Sequence, residues 1–376
     1  MSGIYIHIPF CHQACHYCDF HFSTSLKSKS KIIESICSEI DLRKDFFKTN
    51  APIESIYFGG GTPSILSEKE LELIIEKLKT TFDLSELKEF TFEINPEDVN
   101  DENIENWKKN KIDRFSLGLQ SFDDSMLKYL NRKHSGENGL SSIKKIKQAG
   151  FKNISVDLIY GIPGLSMETW KNQLEILIEL EIPHISAYCL TIEPKTVFGK
   201  LLTSGKIKPI DEELAQDHYF FMHEFLEKNM LEHYEISNFG KQKFYSQHNV
   251  SYWKGKHYLG IGPSAHSFDG EKRLWNVSNN FNYIKSINNK LLPIEFEELN
   301  KNQKTNEYIL TGLRTKWGID LNKINDEISA SSFIKFEKKI EKYLKMNLLK
   351  IDNKNVVLTL NGFWKADGIA GDLFVD

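Results

Sequence analysis

Hydrophobic and polar positions alternate between two periodicities along the first half of the chain, one typical of strands and one typical of helices. Short runs rich in β-branched and aromatic residues predict six strands, at residues 4–8, 55–58, 89–94, 114–119, 154–160 and 184–192. Between them, apolar residues recur at helical spacing and predict helices at residues 31–47, 67–81, 101–109, 123–130, 139–149 and 166–180. We therefore expect an α/β fold, an open partial (β/α)6 barrel that is TIM-like but has fewer than eight units.

The second half of the chain lacks this regular alternation of strand and helix patterns. A long aromatic-rich helix is predicted at residues 211–231, and residues 234–268 have the pattern of short strands and loops. The C-terminal part predicts helices at 305–314, 321–329 and 333–346, then a hairpin of strands 348–351 and 356–360. We predict a barrel core at 1–200, a barrel extension at 201–300 and a small α+β, winged-helix-like domain at 301–376.

Polar side chains gather at the predicted carboxyl ends of the strands. They are the Gly59–Thr62 run, Glu93 with Asn95, Gln120, Asp157 and Thr191. Barrel enzymes build their sites at this end, so the recurrence over successive units predicts one shared site. The alternative is that each polar residue merely ends its own strand.

Three of the five cysteines, Cys11, Cys15 and Cys18, lie within eight residues directly after the first strand. Three neighbouring thiolates can hold three irons of a [4Fe–4S] cluster and leave the fourth iron open to a substrate. A zinc site that adds a nearby histidine is the alternative, because tetrahedral zinc accepts three cysteines and one histidine. Cys37 and Cys189 lie apart and are interpreted as buried hydrophobic residues.

Charge and composition exclude some classes of partner. The formal net charge is -4 and the pI is near 6.3, so no broad basic face is available to bind nucleic acid. The N-terminal residues contain no basic region followed by a long apolar stretch. We expect a cytoplasmic protein that is not integral to a membrane, and a homodimer is left open as its assembly.

The spacing of the three cysteines and the aromatic Tyr17 resemble the signature of the radical S-adenosylmethionine superfamily. The resemblance implies that S-adenosylmethionine completes the cluster at its open iron. It also implies that Gly60, Gly61 and Thr62 meet the methionine end of that cofactor. By similarity, the rest of the cofactor pocket consists of Tyr5, Tyr17, Glu93, Gln120, Arg132 and Asp157.

Longer motifs resemble the oxygen-independent coproporphyrinogen III oxidase group. They are the runs 5–11, 59–63, 118–122, 157–164 and 260–265. The oxidases proper carry a longer N-terminal extension and a fourth cysteine two residues after the third, where this chain has Phe20. In both features the chain resembles the sister branch, the HemW-type haem chaperones. The same features argue against porphyrinogen oxidase activity.

Residues 247–253, Gln-His-Asn-Val-Ser-Tyr-Trp, match the HNxxYW motif of that branch. The resemblance implies that haem is held near His248, with His266 as a competing iron ligand, and is delivered to an acceptor protein. Structural hydrogen bonds by His248 are the alternative. The other function left open is a radical enzyme that cleaves S-adenosylmethionine and abstracts hydrogen from a porphyrinogen.

Overall fold

The computed structural model describes residues 2–47 and 52–375, and its largest feature is a twelve-stranded sheet. Six parallel strands form its centre: β1 (Ser2–Ile8), β2 (Ile53–Gly60), β3 (Glu89–Ile94), β4 (Arg114–Gln120), β5 (Asn153–Tyr160) and β6 (His184–Cys189). The helices between them are α1 (Lys29–Leu42), α2 (Glu68–Thr81), α3 (Asp101–Lys109), α4 (Asp124–Tyr129), α5 (Gly136–Gln148) and α6 (Met167–Glu179). The predicted α/β partial barrel is therefore confirmed.

Alternation along β1 shows how the sequence builds this barrel. Ile4, Ile6 and Ile8 are fully buried on one face of the strand. Tyr5 and His7 point to the opposite face, where the Tyr5 hydroxyl lies 3.1 Å from Nδ1 of His7. Apolar residues thus pack on one side of the parallel sheet, and the barrel interior keeps polar groups for chemistry.

The barrel is extended at both edges of the sheet. The segment after β6 contains α7 (Val197–Thr203), α8 (Glu212–Lys228), β7 (Glu232–Glu235), β8 (Asn238–Gly240), α9 (Gln247–Trp253), β9 (His257–Ile261), β10 (His266–Phe268), β11 (Lys272–Asn276), α10 (Asn280–Asn288) and β12 (Ile294–Glu298). Strand β8 adds antiparallel to β6, whereas β9 lies parallel to β1 on the other side. The sequence did not predict this seventh parallel strand.

The expectation of loops and strands throughout residues 234–268 was wrong at one place. Residues 247–253 form helix α9, which begins with the Ser246 hydroxyl accepting a hydrogen bond from the backbone amide of Asn249. The HNxxYW motif therefore places residues four apart on one helical face.

The C-terminal part is a small helical unit with its own sheet. Its elements are α11 (Lys301–Leu313), β13 (Ile319–Asp320), α12 (Leu321–Glu327), α13 (Ala330–Lys345), β14 (Leu349–Asp352), β15 (Asn355–Leu358), α14 (Leu360–Phe363) and α15 (Ala366–Asp372). The predicted hairpin is β14 with β15, and β13 joins it as a third antiparallel strand. This order of helices and hairpin is winged-helix-like; the boundaries at residues 200 and 300 stay a prediction.

Candidate functional site

The cysteine loop is fastened to the carboxyl ends of β1 and β2. The Cys11 amide donates to the Ser23 carbonyl at 3.1 Å, which closes the base of the loop. The Thr62 amide donates to the Phe10 carbonyl at 2.7 Å, so the residues after β2 hold the start of the loop. These backbone hydrogen bonds fix where the first thiol lies relative to the barrel mouth.

A second anchor comes from the turn after α4. The Asn131 side-chain amide donates to the Ala14 carbonyl at 2.7 Å, and Gln13 Nε2 donates to the Asn131 carbonyl at 2.9 Å. Asn131 adopts a positive φ of 59°, a conformation that asparagine tolerates at a helix end. Sequence reasoning missed this residue, and its only signal was an Asn directly after a predicted helix.

The thiols of the loop lie in a low-dielectric environment. Burial raises the pKa of the Cys11 thiol to about 11 and that of Cys18 to about 12. A bound iron cluster would reverse this preference, because metal ions hold coordinating thiols in the deprotonated form. Within residues 2–47 and 52–375, no three His, Cys, Asp or Glu side chains gather as ligands of one metal ion. A cubane does not need such a cage, since each thiolate binds a different iron.

The barrel mouth holds a cavity of about 490 Å³. All three cysteines face it, together with eight further residues expected in the cofactor pocket: Tyr17, Gly60, Gly61, Thr62, Glu93, Gln120, Arg132 and Asp157. Tyr5 does not line the cavity and lies below it, with its ring 6.0 Å from that of Tyr57. The structure thus brings together every predicted pocket residue except Tyr5.

Two glycines let the backbone come close to the cysteine loop. Gly60 has a φ of 106°, and a Cβ there would lie 2.6 Å from the His7 ring. A Cβ at Gly61 would lie 2.5 Å from the Phe10 carbonyl oxygen. Only glycine fits at these positions without displacement, so this stretch lies close against the first strand and the cysteine loop, where the Gly61 amide donates to the Ile8 carbonyl at 2.9 Å.

Arg132 connects the cysteine loop with two strand ends. Its Nη2 donates to Asn95 Oδ1 at 2.7 Å and to the Gly118 carbonyl at 2.6 Å. Its Nη1 lies 3.3 Å from Cys15 Sγ. A guanidinium held in this way is oriented for an anionic group such as a carboxylate in the cavity.

Two half-buried carboxyls line the cavity. Glu93 accepts a hydrogen bond from the Tyr57 hydroxyl at 2.8 Å, and Asp157 accepts one from Ser116 at 3.1 Å. Burial raises the pKa of Glu93 to about 7 and that of Asp157 to about 6. Both groups therefore change charge close to neutral pH and suit hydroxyl or ammonium partners.

Several further residues were missed or interpreted differently from the sequence. Tyr188 and Glu193 were missed and line the cavity, and Tyr188 follows the alternation of β6 toward its mouth. Asn95 and Thr191, which were predicted at strand ends, line it as expected. Cys189 lines it as well and is only partly buried, which corrects its interpretation as a core residue, whereas Cys37 is buried as expected. Phe20 lies at the rim with 72% of its surface exposed.

His248 lies away from this cavity, at the opposite end of the barrel interior. Its side chain is fully buried, and burial lowers its pKa to about 3, so the imidazole is neutral. Nδ1 lies 2.8 Å from Ser55 Oγ and Nε2 lies 2.6 Å from the Tyr252 hydroxyl. Both ring nitrogens are engaged, so this geometry does not favour His248 as an iron ligand. His266 is exposed on β10, with its ring 6.2 Å from that of Trp275.

Comparisons with known proteins agree with this architecture. The model of the radical SAM superfamily matches residues 5–177, and the HemN C-terminal domain model matches residues 299–364. Haem chaperone HemW of Lactococcus lactis is 34% identical over 375 residues, which cover 100% of this chain and 98% of the relative. Haem chaperone HemW of Bacillus subtilis is 31% identical over 366 residues, 96% of each protein.

A solved structure shares the fold over the full length of this chain. Coproporphyrinogen III oxidase HemN from Escherichia coli, a radical SAM enzyme, has a TM-score of 0.85 and 20% identity. The match covers 100% of this chain and 90% of the oxidase. The sheet, the cysteine loop and these matches define the chain as a member of the radical SAM superfamily. Within that superfamily it belongs to the family of the haem chaperone HemW.

No helix in the described ranges, 2–47 and 52–375, is both long enough and apolar enough to span a bilayer.

Proposed function

We propose that this protein is a haem chaperone, which binds haem and passes it to an acceptor protein in the cytoplasm. The observation that carries the proposal is the match, over nearly the full length of both proteins, to relatives named haem chaperone HemW. Phe20 supports it, because a phenyl ring cannot replace the fourth cysteine of the related oxidases.

The barrel mouth would hold the resident cofactors of the protein. Cys11, Cys15 and Cys18 would bind three irons of a [4Fe–4S] cluster. Backbone hydrogen bonds at the base of their loop and the Asn131 side chain at its middle would position the thiols for it. Such a cluster, when bound, supplies one electron to a sulfonium compound. The partly exposed position of the loop gives a cofactor access from the cavity.

The cavity beside the cluster loop would bind S-adenosylmethionine. Arg132 is oriented for the cofactor carboxylate, and the absence of side chains at Gly60 and Gly61 leaves room for the cofactor at the cavity edge. Glu93 and Asp157 would accept hydrogen bonds from the ribose hydroxyls or the ammonium group. Both carboxyls are only partly exposed, and hydrogen bonds in such a low-dielectric setting are stronger than those in solvent.

Haem binding by the purified chain tests the proposal directly. The protein is reconstituted anaerobically with iron and sulfide and titrated with haem, and the Soret band is followed. We expect saturable binding and transfer of the bound haem to apomyoglobin, measured by the spectrum of the acceptor after separation. A reconstituted chain that binds no haem would contradict the proposal.

A second candidate function is a radical enzyme that acts on a porphyrinogen. The observation in its favour is that eight predicted cofactor-pocket residues and the three cysteines face one cavity. Incubation with dithionite and S-adenosylmethionine distinguishes the two functions. Formation of 5′-deoxyadenosine that depends on an added porphyrinogen, with conversion of that porphyrinogen, would support the enzyme.

A further inference from the structure

A second cavity lies where the barrel extension meets the C-terminal unit. Helix α9 and strands β9 to β11 form one wall of this cleft, and α11 with α12 forms the other. Its volume of about 530 Å³ falls within the roughly 300–1,000 Å³ of small-molecule and cofactor sites. The cysteine loop does not contribute to its lining.

Six aromatic side chains line the cleft, from both of its walls. They are Tyr252, Trp253, Tyr258, Phe268, Tyr308 and Trp317. The rings of Tyr252 and Tyr258 meet edge to face with centroids 4.4 Å apart. Rings supplied from both sides of a cleft can pack on the faces of a flat aromatic ligand.

The lining of the cleft is strongly positive, although the whole chain has a net charge of -4. Its cationic residues are Lys254, Lys256, Arg273, Lys301, Lys304 and Lys323. Two carboxylates accompany them, and both are paired: Glu307 with Arg273 at 2.7 Å and Glu327 with Lys301 at 3.5 Å. An anionic ligand would therefore find unpaired positive charge here.

The remaining lysines differ in how they are held. Lys323 lies 3.7 Å above the Tyr308 ring, and Lys254 lies 4.6 Å above that of Trp317. Lys256 and Lys304 are exposed and form no ion pair with any residue that the structure describes. These two side chains can meet ligand carboxylates without breaking an existing ion pair.

The cleft also explains what the HNxxYW segment does. Tyr252 and Trp253 line it, whereas His248, one helical turn earlier, is buried behind them. The imidazole of His248 holds the Tyr252 hydroxyl at 2.6 Å and so fixes the position of that wall. His248 is a positioning residue in this arrangement.

Resting on the haem-binding function proposed above, we infer that haem lies in this cleft, between the aromatic walls, with Lys256 and Lys304 on its two propionates. Porphyrins are flat, aromatic and carry two carboxylates, which matches the lining in shape and charge. The acidic cavity at the barrel mouth lacks this match.

Charge reversal at the cleft rim tests this placement. Both positions changed in K256E/K304E are exposed, so the fold is expected to be unaffected. The control is K144E/K145E on the outer face of α5, which carries the same change in net charge. We expect K256E/K304E to weaken haem binding at least tenfold, while the α5 variant binds like the wild type.

A modified ligand tests whether the two lysines act through contact with the haem propionates. Haem dimethyl ester lacks the free carboxylates, so the wild type and K256E/K304E should bind it equally. Equal haem affinity of K256E/K304E and the wild type would overturn the cleft as the haem site and leave the haem-chaperone function intact. Absence of haem binding by the wild type would instead overturn that function.

Discussion

The two cavities of this protein have opposite chemistry. The cavity at the barrel mouth contains three thiols and the half-buried carboxyls Glu93 and Asp157, and it suits a cationic sulfonium compound. The cleft beside α9 is basic and aromatic, and it suits a flat dianion. On the proposed assignments, S-adenosylmethionine and haem would not compete, because each cavity disfavours the ligand of the other.

The different origins of the cavities explain this contrast. The barrel mouth is made from the ends of parallel strands, where successive units of the chain deliver polar residues to one place. The cleft is made from elements of the barrel extension and the C-terminal unit, which meet only in the folded chain. Because the two cavities are built from different elements, a change in one should leave ligand binding in the other unaffected.

Removal of the cysteines should have the largest effect. In C11A/C15A/C18A we expect complete loss of cluster assembly, measured as iron and sulfide content and by EPR after anaerobic reconstitution. Haem affinity should stay within about twofold of the wild type, since distant sites are energetically independent to that degree. C37A is the matched control and should assemble the cluster. A cubane that forms in the triple variant would contradict the assignment of the thiols.

Loss of Arg132 should strongly weaken the barrel-mouth site alone. Arg132→Ala removes a charged donor, so S-adenosylmethionine affinity should fall about 10- to 100-fold. Lys cannot replace the guanidinium fork, and Arg132→Lys should be almost as weak. Affinity is measured by calorimetry on samples matched for iron content, with Lys128→Ala as the exposed control on α4. Unchanged affinity in Arg132→Ala would place the cofactor elsewhere.

Sequence reasoning succeeded where local pattern decides the structure. Strand β3 (Glu89–Ile94) and helix α3 (Asp101–Lys109) have the bounds that their hydrophobic periodicity predicts. The pairing of β9 with β1 was missed, because about 250 residues separate the partners Tyr5 and Gly260 in sequence. Helix α9 was missed because seven residues give too short a periodic signal.

The two cavities also differ in how far the sequence predicts them. The glycines follow a strand that the sequence predicts, and Glu93 and Asp157 lie within two others, so their meeting at one barrel end could be expected. The cleft depends on contact between α9 and α11, which no local pattern contains. The role expected for His248 also depended on burial, which a motif cannot show.

Substitution of His248 separates a ligand from a positioning residue. His248→Ala leaves the hydroxyls of Ser55 and Tyr252 without their partner in a buried site, so the free energy of unfolding should fall by about 1–3 kcal/mol. The Soret maximum of bound haem should not move, because no iron ligand is lost. Chemical denaturation and absorption spectra measure the two effects. A shifted Soret band in His248→Ala, but not in Tyr252→Phe, would show that His248 ligates iron.

The acidic cavity should respond to pH in a characteristic direction. Burial raises the pKa of Glu93 to about 7 and that of Asp157 to about 6, so both lose charge as pH falls through these values. S-adenosylmethionine affinity should therefore fall severalfold between about pH 8 and about pH 6. Glu93→Gln should flatten the upper part of this profile, and a slope that persists in that variant would contradict the role of Glu93.

The stability of the cofactor-free protein should change with the opposite sign. In the unfolded chain Glu ionises near about pH 4.3, below its folded-state value, so raising the pH from there to about 7 favours unfolding. Denaturation curves of the wild type and Glu93→Gln over this window should differ in slope.

Salt should give the smallest effect and the finest contrast between the cavities. Lys256 and Lys304 are exposed, and the Debye length shortens to a few ångström near about 1 M salt, so their attraction for carboxylates is screened. Haem affinity should fall severalfold between about 0.05 M and about 0.5 M KCl, whereas the buried contacts of S-adenosylmethionine should change less. In K256E/K304E salt screens repulsion at the rim instead of attraction, so this fall in affinity should be absent, whereas K144E/K145E should keep it. An equal response of both ligands would mean that the rim charges do not distinguish the two cavities.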